Sequence, residues 1–209
     1  MRYNGMIIFG EMGSGKDTLA DLIIEADPDF SKYGLGDIIR VLKKVSLVDP
    51  NWLGNERTFM QTTADKLREI DKDLLNHYAL ADMLLEHLGD FKLTKENYRE
   101  DLNGIFQRIR EEAHVIPLIV GGRTWKDYEY WTKRGFLSVG IVVDPEIRLR
   151  RLTRRDGTEI ASRSNAAHNT EKDVGEIIRQ CEITVDNNHG LEELRSEAQR
   201  LVRLFRAEG

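Results

Sequence analysis

Cysteine is almost absent from this chain: Cys181 is the single one among 209 residues. That excludes an internal disulfide and a cysteine-rich zinc site, and leaves Cys181 to be read as a small, buried, apolar residue on a helix. Long apolar runs are missing too. No stretch approaches the roughly 18 uninterrupted apolar residues that a membrane-crossing helix needs, and the first five residues lead straight into a strand-like segment. A cytoplasmic protein without membrane association is expected. There is no internal repeat, low-complexity tract or Gly/Ser/Pro linker, so independent domains are not expected. A wide basic surface is lacking as well. The formal net charge is −5, and arginine crowds one segment, at Arg148, Arg150, Arg151, Arg154, Arg155 and Arg163. This argues against general nucleic-acid binding and suits the holding of a polyphosphate. What is present, 40% hydrophobic and 32% charged residues, is the balance of one compact domain.

Apolar patterning divides the chain into alternating elements. Residues 6–9, 118–120, 136–143 and 183–185 read as short buried strands, with Pro117 at the start of the second, where a missing N–H does least harm. Helical spacing links Leu19, Leu22, Ile23 and Ala26. It recurs through Ile38, Leu42 and Val45, through Met60, Ala64 and Leu67, through Leu74 to Leu88, and through Leu102, Phe106 and Ile109. Trp125, Tyr128 and Trp131 form another stripe, and Leu191, Leu194, Ala198, Leu201 and Phe205 a closing one. Asp144-Pro145-Glu146 opens a helix with an N-cap, a proline at the first position and an acid in the first turn. Strands alternating with helices imply a parallel sheet covered on both faces. The long helical stretch 37–113 is then expected to pack beside that sheet.

The sharpest signal is Gly10-Glu11-Met12-Gly13-Ser14-Gly15-Lys16-Asp17-Thr18, with the spacing G-x-x-x-x-G-K between a strand and a helix. Gly10, Gly13 and Gly15 let the backbone curl so that successive N–H groups, Ser14 and Asp17 among them, face phosphate oxygens. The helix that follows contributes its positive end. Lys16 adds a full charge for the β- and γ-phosphates. Thr18 offers a hydroxyl to the phosphates or to Mg2+. Together these point to a nucleoside triphosphate as the ligand.

The loop resembles that of the nucleoside monophosphate kinases, in which the lysine is followed by one more residue and then threonine. Leu35-Gly36-Asp37-Ile38-Ile39-Arg40 is similar to the G-D-x-x-R segment of the adenylate kinase type. The resemblance implies that Asp37 begins a helix and that Arg40 grips the acceptor's phosphate. Arg57, Gln61 and Arg68 resemble residues on the acceptor-side helices of the phage deoxynucleoside monophosphate kinases. Gly121-Gly122-Arg123 stands where that family has Asp-x-Arg, and the end of the chain from Asp186 through Asn188 to Leu194 resembles that of the dephospho-CoA kinases, where it lies against adenine.

The family likeness implies an α/β, three-layer P-loop NTPase fold with a parallel sheet. Its core would be residues 1–36, 114–153 and 176–209, its helical acceptor-binding insertion 37–113, and its lid 154–175. It implies an ATP- and Mg2+-dependent kinase acting on a small phosphorylated acceptor, a nucleoside or deoxynucleoside monophosphate first. Lys16, Arg123, Arg154 and Arg163 would stabilise the transferred phosphoryl group. Gly10, Gly13, Ser14, Gly15, Lys16, Asp17, Thr18, Arg151 and Asn188 would hold ATP. Asp37, Arg40, Arg57 and Arg68 would hold the acceptor, and Thr18 the metal. His168 is read as a solvent-exposed residue of the lid.

One departure from the pattern opens alternatives. Where the family carries an acid that orients water on Mg2+, this chain has Gly121. Asp37 or Asp17 would then assist Thr18, or the protein would bind nucleotide with little turnover, as a regulator. A dephospho-CoA-kinase-like enzyme, phosphorylating a hydroxyl with Asp37 as base, is the other alternative.

Overall fold

The computed structural model describes residues 2–46, 56–89, 102–156 and 173–207. Among them are five strands: β1 (Gly5–Gly10), β2 (Phe30–Gly34), β3 (Ile116–Gly122), β4 (Phe136–Val142) and β5 (Ile183–Asp186). All pair in parallel, in the order β2-β3-β1-β4-β5. The helices are α1 (Lys16–Ala26), α2 (Asp37–Ser46), α3 (Glu56–Ile70), α4 (Leu74–Leu88), α5 (Leu102–Glu112), α6 (Trp125–Thr132), α7 (Pro145–Asp156), α8 (Val174–Gln180) and α9 (Leu191–Ala207).

The sheet has an apolar cover on each face, and β1, buried at all six positions, shows how the pleat divides them. Met6 and Ile8 join Leu19 and Ile23 of α1 and Leu194, Ala198, Leu201 and Phe205 of α9. Ile7 and Phe9 join the opposite cluster, built by Leu80 and Met83 of α4, Phe106 of α5, Trp131 of α6 and Ile177 of α8. In that cluster the Phe136 ring lies 5.1 Å from Phe106 and 4.8 Å from Trp131, edge to face. Truncating a buried ring of this kind costs about 3–5 kcal/mol. Helices α4 and α5 therefore belong to the sheet's own cover, and Ile38 of α2 and Ala64 and Leu67 of α3 pack against it as partly buried residues.

Apolar patterning marks only four of these strands. The fifth, β2, is an edge strand with only Phe30 and Tyr33 buried, too short and too polar to stand out. Beyond the helix expected around Cys181, nothing in the sequence pattern marks the bounds of α8, on which Val174, Ile177 and Ile178 are buried. Cys181 follows this helix as its C-cap, Sγ donating to the Ile177 carbonyl at 3.3 Å.

Between β1 and β3 the register slips: Ile8 pairs with Val120 and Phe9 with Gly122, leaving Gly121 as an extra residue at φ +100°. Glycine is required there because that φ strains any other residue. The next, Gly122, is required for a different reason: a Cβ on it would lie 2.4 Å from the Phe9 ring.

Most of the stretch expected to form a lid, residues 157–172 with Arg163 and His168, lies outside the described residues.

Candidate active site

Parallel α/β sheets place ligands beyond the carboxyl ends of their strands, and a cleft of about 880 Å³ opens there, between the end of β1, the start of α1 and the walls made by α2 and α3. Gly13, Gly15, Lys16, Asp17 and Thr18 line it on one side. The loop has the conformation its glycines allow: φ is +80° at Gly13 and +91° at Gly15, and Ser14 N–H turns back to the Glu11 carbonyl at 3.1 Å. Gly10 is needed for room, since a Cβ there would meet Ile141 at 2.3 Å. Ser14 is buried with its hydroxyl lacking a hydrogen-bond partner. Lys16 is buried within the loop and borders the cleft.

Two distant parts of the chain brace the loop from behind. Helix α7 packs Leu152 against Met12, and its Arg148 pairs with Glu11 at 3.4 Å. From the end of β5, Asn187, 5% exposed, donates its side-chain amide to the Ser14 carbonyl at 2.7 Å. Its own carbonyl accepts Arg151 Nη2 at 3.0 Å, and Arg151 Nη1 is buried without a hydrogen-bond partner. Asn188, the sequence candidate, turns elsewhere: its Oδ1 accepts the Asp144 N–H at 2.6 Å. Asn187 takes the place beside the loop, and nothing in two adjacent asparagines distinguishes them until the turn after β5 is known.

The arginines divide by helical phase. Arg151 and Arg155 line the cleft. Arg154 is exposed and is not among the lining residues, since it lies on another side of α7. The spacing of Arg148, Arg151 and Arg155 is that of one helix face, a signal the sequence carried. Arg123, directly after β3, also lines the cleft.

On the opposite wall, Asp37 opens α2. Its Oδ2 accepts the Gly34 N–H at 2.8 Å and its Oδ1 receives Arg40 Nη1. Both residues line the cleft, as do Met60, Gln61 and Arg68 of α3. Arg57 lies in the first turn of α3, and its side chain is outside the described residues. Arg68 is 14% exposed and reaches Asp127 at 3.4 Å. Asp127, which sequence reading missed, is fully buried. It caps α6 in a reciprocal box with Thr124 and takes the Arg123 N–H at 2.9 Å and the Asn76 amide at 3.0 Å, so one carboxylate holds the Arg68 guanidinium and the Arg123 backbone. Thr-x-x-Asp after the glycine pair is a capping-box pattern that was legible.

Seven lysines and arginines line the cleft against four carboxylates, in a chain whose formal net charge is −5. The lining thus concentrates positive charge where the whole molecule is negative, the arrangement that draws in anionic ligands. The donor set also fits Mg2+, which retains several waters and needs only one or two protein oxygens beside substrate phosphates. Thr18 and Asp17 are exposed at the loop's edge of the cleft. Among the described residues no cluster of three or more His, Cys, Asp or Glu suggests a protein-only metal cage, and no helix is long and apolar enough to cross a membrane.

No protein-family model matches this chain, and no curated protein matches it. Solved structures do. Dephospho-CoA kinase from Campylobacter jejuni aligns over 97% of this chain and 96% of its own, with TM-score 0.52 and 15% identity. Shikimate kinase from Aquifex aeolicus aligns over 98% and 99%, with TM-score 0.50 and 17% identity. The five-stranded parallel sheet with helices on both faces is the fold of these P-loop kinases.

Proposed function

We propose that the protein is an ATP-dependent phosphotransferase that moves the γ-phosphoryl group of ATP to a small phosphorylated acceptor, a nucleoside or deoxynucleoside monophosphate. One observation carries the reading: a phosphate loop and a set of guanidinium groups face each other across a single cleft. Such a cleft suits two anionic substrates held end to end. The fold supports the kinase class, and the acceptor is argued from the site, since fold alone does not fix function.

In this reading the loop amides and Lys16 hold the β- and γ-phosphates, with Arg151 beside them. Arg40 and Arg68 hold the acceptor's phosphate. An acceptor phosphate oxygen attacks the γ-phosphorus in line while the bond to the β-phosphate oxygen breaks and ADP leaves. Charge builds on the transferred group and on the leaving oxygen, where Lys16, Arg123 and Arg155 stabilise it. Mg2+, near Thr18 and Asp17, would supply further neutralisation of the β- and γ-oxygens. The acceptor phosphate is already anionic, so no general base is required.

A second reading follows from Asp37, a carboxylate on the acceptor wall of the cleft. It would serve as base for a hydroxyl acceptor, as in a dephospho-CoA-kinase-like enzyme. Incubation with ATP and Mg2+ and a panel of nucleoside monophosphates, deoxynucleoside monophosphates and dephospho-CoA, read as ADP released, separates the two. Release that depends on a monophosphate supports the first reading, and release with dephospho-CoA alone replaces it. Tight ATP binding with no acceptor-dependent release would leave a nucleotide-binding regulator.

A further inference from the structure

The tie between Asn187 and the loop has a chemical consequence that the loop's own residues do not supply. Every described peptide bond is trans, and in a trans peptide the carbonyl and the following N–H point in opposite directions. The carbonyl of Ser14 is drawn toward Asn187 by a 2.7 Å hydrogen bond. The N–H of Gly15 therefore points away from Asn187. Gly15 borders the cleft and Asn187 does not.

The peptide between Ser14 and Gly15 is otherwise easy to turn over, because Gly15 at φ +91° has no side chain to resist rotation. Turned over, it would offer a carbonyl oxygen to the ligand in place of an N–H, a repulsive contact with phosphate. Gly15 and Asn187 are also matched in shape: a Cβ on Gly15 would lie 2.4 Å from the Asn187 amide nitrogen. The backbone carbonyl of Asn187 meanwhile anchors Arg151 through Nη2 at 3.0 Å, leaving Nη1 beside the loop.

We infer that Asn187 is a positioning residue for nucleotide phosphates: its amide fixes the Ser14–Gly15 peptide with N–H toward the ligand, and its carbonyl seats Arg151 next to it. The inference rests on the reading of the loop as a nucleotide site. A carbonyl can only accept, so a donor at this position is the chemical requirement. Asn187 is 5% exposed, and water cannot readily replace the lost donor.

The experiment measures ADP binding by calorimetry, with circular dichroism and thermal midpoints as controls, on the wild-type protein, Asn187→Leu and Asn187→Asp. Asn187→Leu keeps the bulk and removes the donor, and should weaken ADP binding about tenfold or more, the scale of one lost charge-assisted contact. Asn187→Asp keeps the shape but presents a carboxylate to the Ser14 carbonyl. Its ADP affinity, expressed relative to wild type at each pH, should be low at neutral pH and recover as the pH falls and the carboxyl gains a proton it can donate. A residue that merely fills space would show no such recovery. If Asn187→Leu does not fold, the Asp variant decides, because its pH profile is read within one protein. Wild-type affinity in a folded Asn187→Leu, or a flat relative profile in Asn187→Asp, overturns the inference. A wild-type protein that does not bind ADP overturns the nucleotide reading beneath it, a result distinct from either.

Discussion

Asp37 holds Arg40 within the cleft: one carboxylate oxygen receives the guanidinium while the other accepts the Gly34 N–H at 2.8 Å. The Arg40 side chain is 65% exposed, and an exposed ion pair contributes only about 0–1 kcal/mol. A dianionic acceptor phosphate would displace it easily. Arg40→Ala should raise the acceptor KM and lower kcat/KM by about 2–4 kcal/mol, with ATP affinity unchanged. Steady-state kinetics with each substrate varied in turn checks this, and a change confined to ATP would show that the acceptor wall has been misassigned.

The same pair separates the two acceptor chemistries. With a monophosphate acceptor, Asp37→Asn should retain kcat within about tenfold, because no proton has to be removed; with a hydroxyl acceptor it should lose about 10²–10⁴-fold. Single-turnover rates with the acceptor identified by the panel give the answer.

Lys16→Ala should leave the thermal midpoint nearly unchanged, since the residue serves the ligand more than the core. It should reduce kcat by about 10²–10³-fold or more and weaken ATP binding. An active variant with wild-type ATP affinity is the contrary outcome.

Gly121 and Gly122 should respond differently to alanine. At Gly121 the nearest atom to an added Cβ is 3.8 Å away, so the cost is the strain of φ +100° alone, about 1–2 kcal/mol. At Gly122 the Cβ would strike the Phe9 ring at 2.4 Å, and overpacking of a buried core adds about 1–3 kcal/mol and sometimes more. Thermal unfolding should place Gly122→Ala at or below Gly121→Ala.

Acid should loosen the contact between the end of α9 and the turn before β2. Arg206 grips Asp27 through Nε at 2.8 Å and Nη2 at 3.0 Å. Burial alone would raise the Asp27 pKa, but the hydrogen bonds from Arg206 and the Asp29 amide, with the guanidinium charge, outweigh it and leave it below its ordinary 3.8. A carboxyl lowered in the folded state contributes stability that is complete above the unfolded pKa and is lost as pH falls through the folded one. Urea midpoints of wild type and Arg206→Ala should therefore converge between about pH 5 and about pH 2. A gap that widens over this range would contradict the assignment.

The central strand and one edge strand show what the sequence made legible. Strand β1 and the loop after it declared themselves because a continuous apolar run met a glycine spacing with one chemical use. Strand β2 did not, because an edge strand buries only part of its residues, and Phe30 and Tyr33 are too far apart to show the pleat. In the site, the residue types were readable and their choice among neighbours was not. Asn187 or Asn188, and Arg154 or Arg155, differ by one position, and that position decides which side of a turn or helix faces the cleft. Asp127 is the reverse case: its capping pattern was visible, but that its carboxylate would also hold Arg68 depended on how α3 packs across from α6.

The loop's braces make the proposed nucleotide site a property of both ends of the chain. Its glycines lie within the first eighteen residues, yet the groups that hold it, Arg148, Leu152 and Asn187, come from far along the sequence. Binding at one place is then thermodynamically linked to docking at the other. A ligand that requires the braced loop would protect the amides of β5 and the start of α9 from hydrogen exchange, although it touches neither, and a fragment ending before β5 would retain the phosphate-loop motif without a preformed phosphate site.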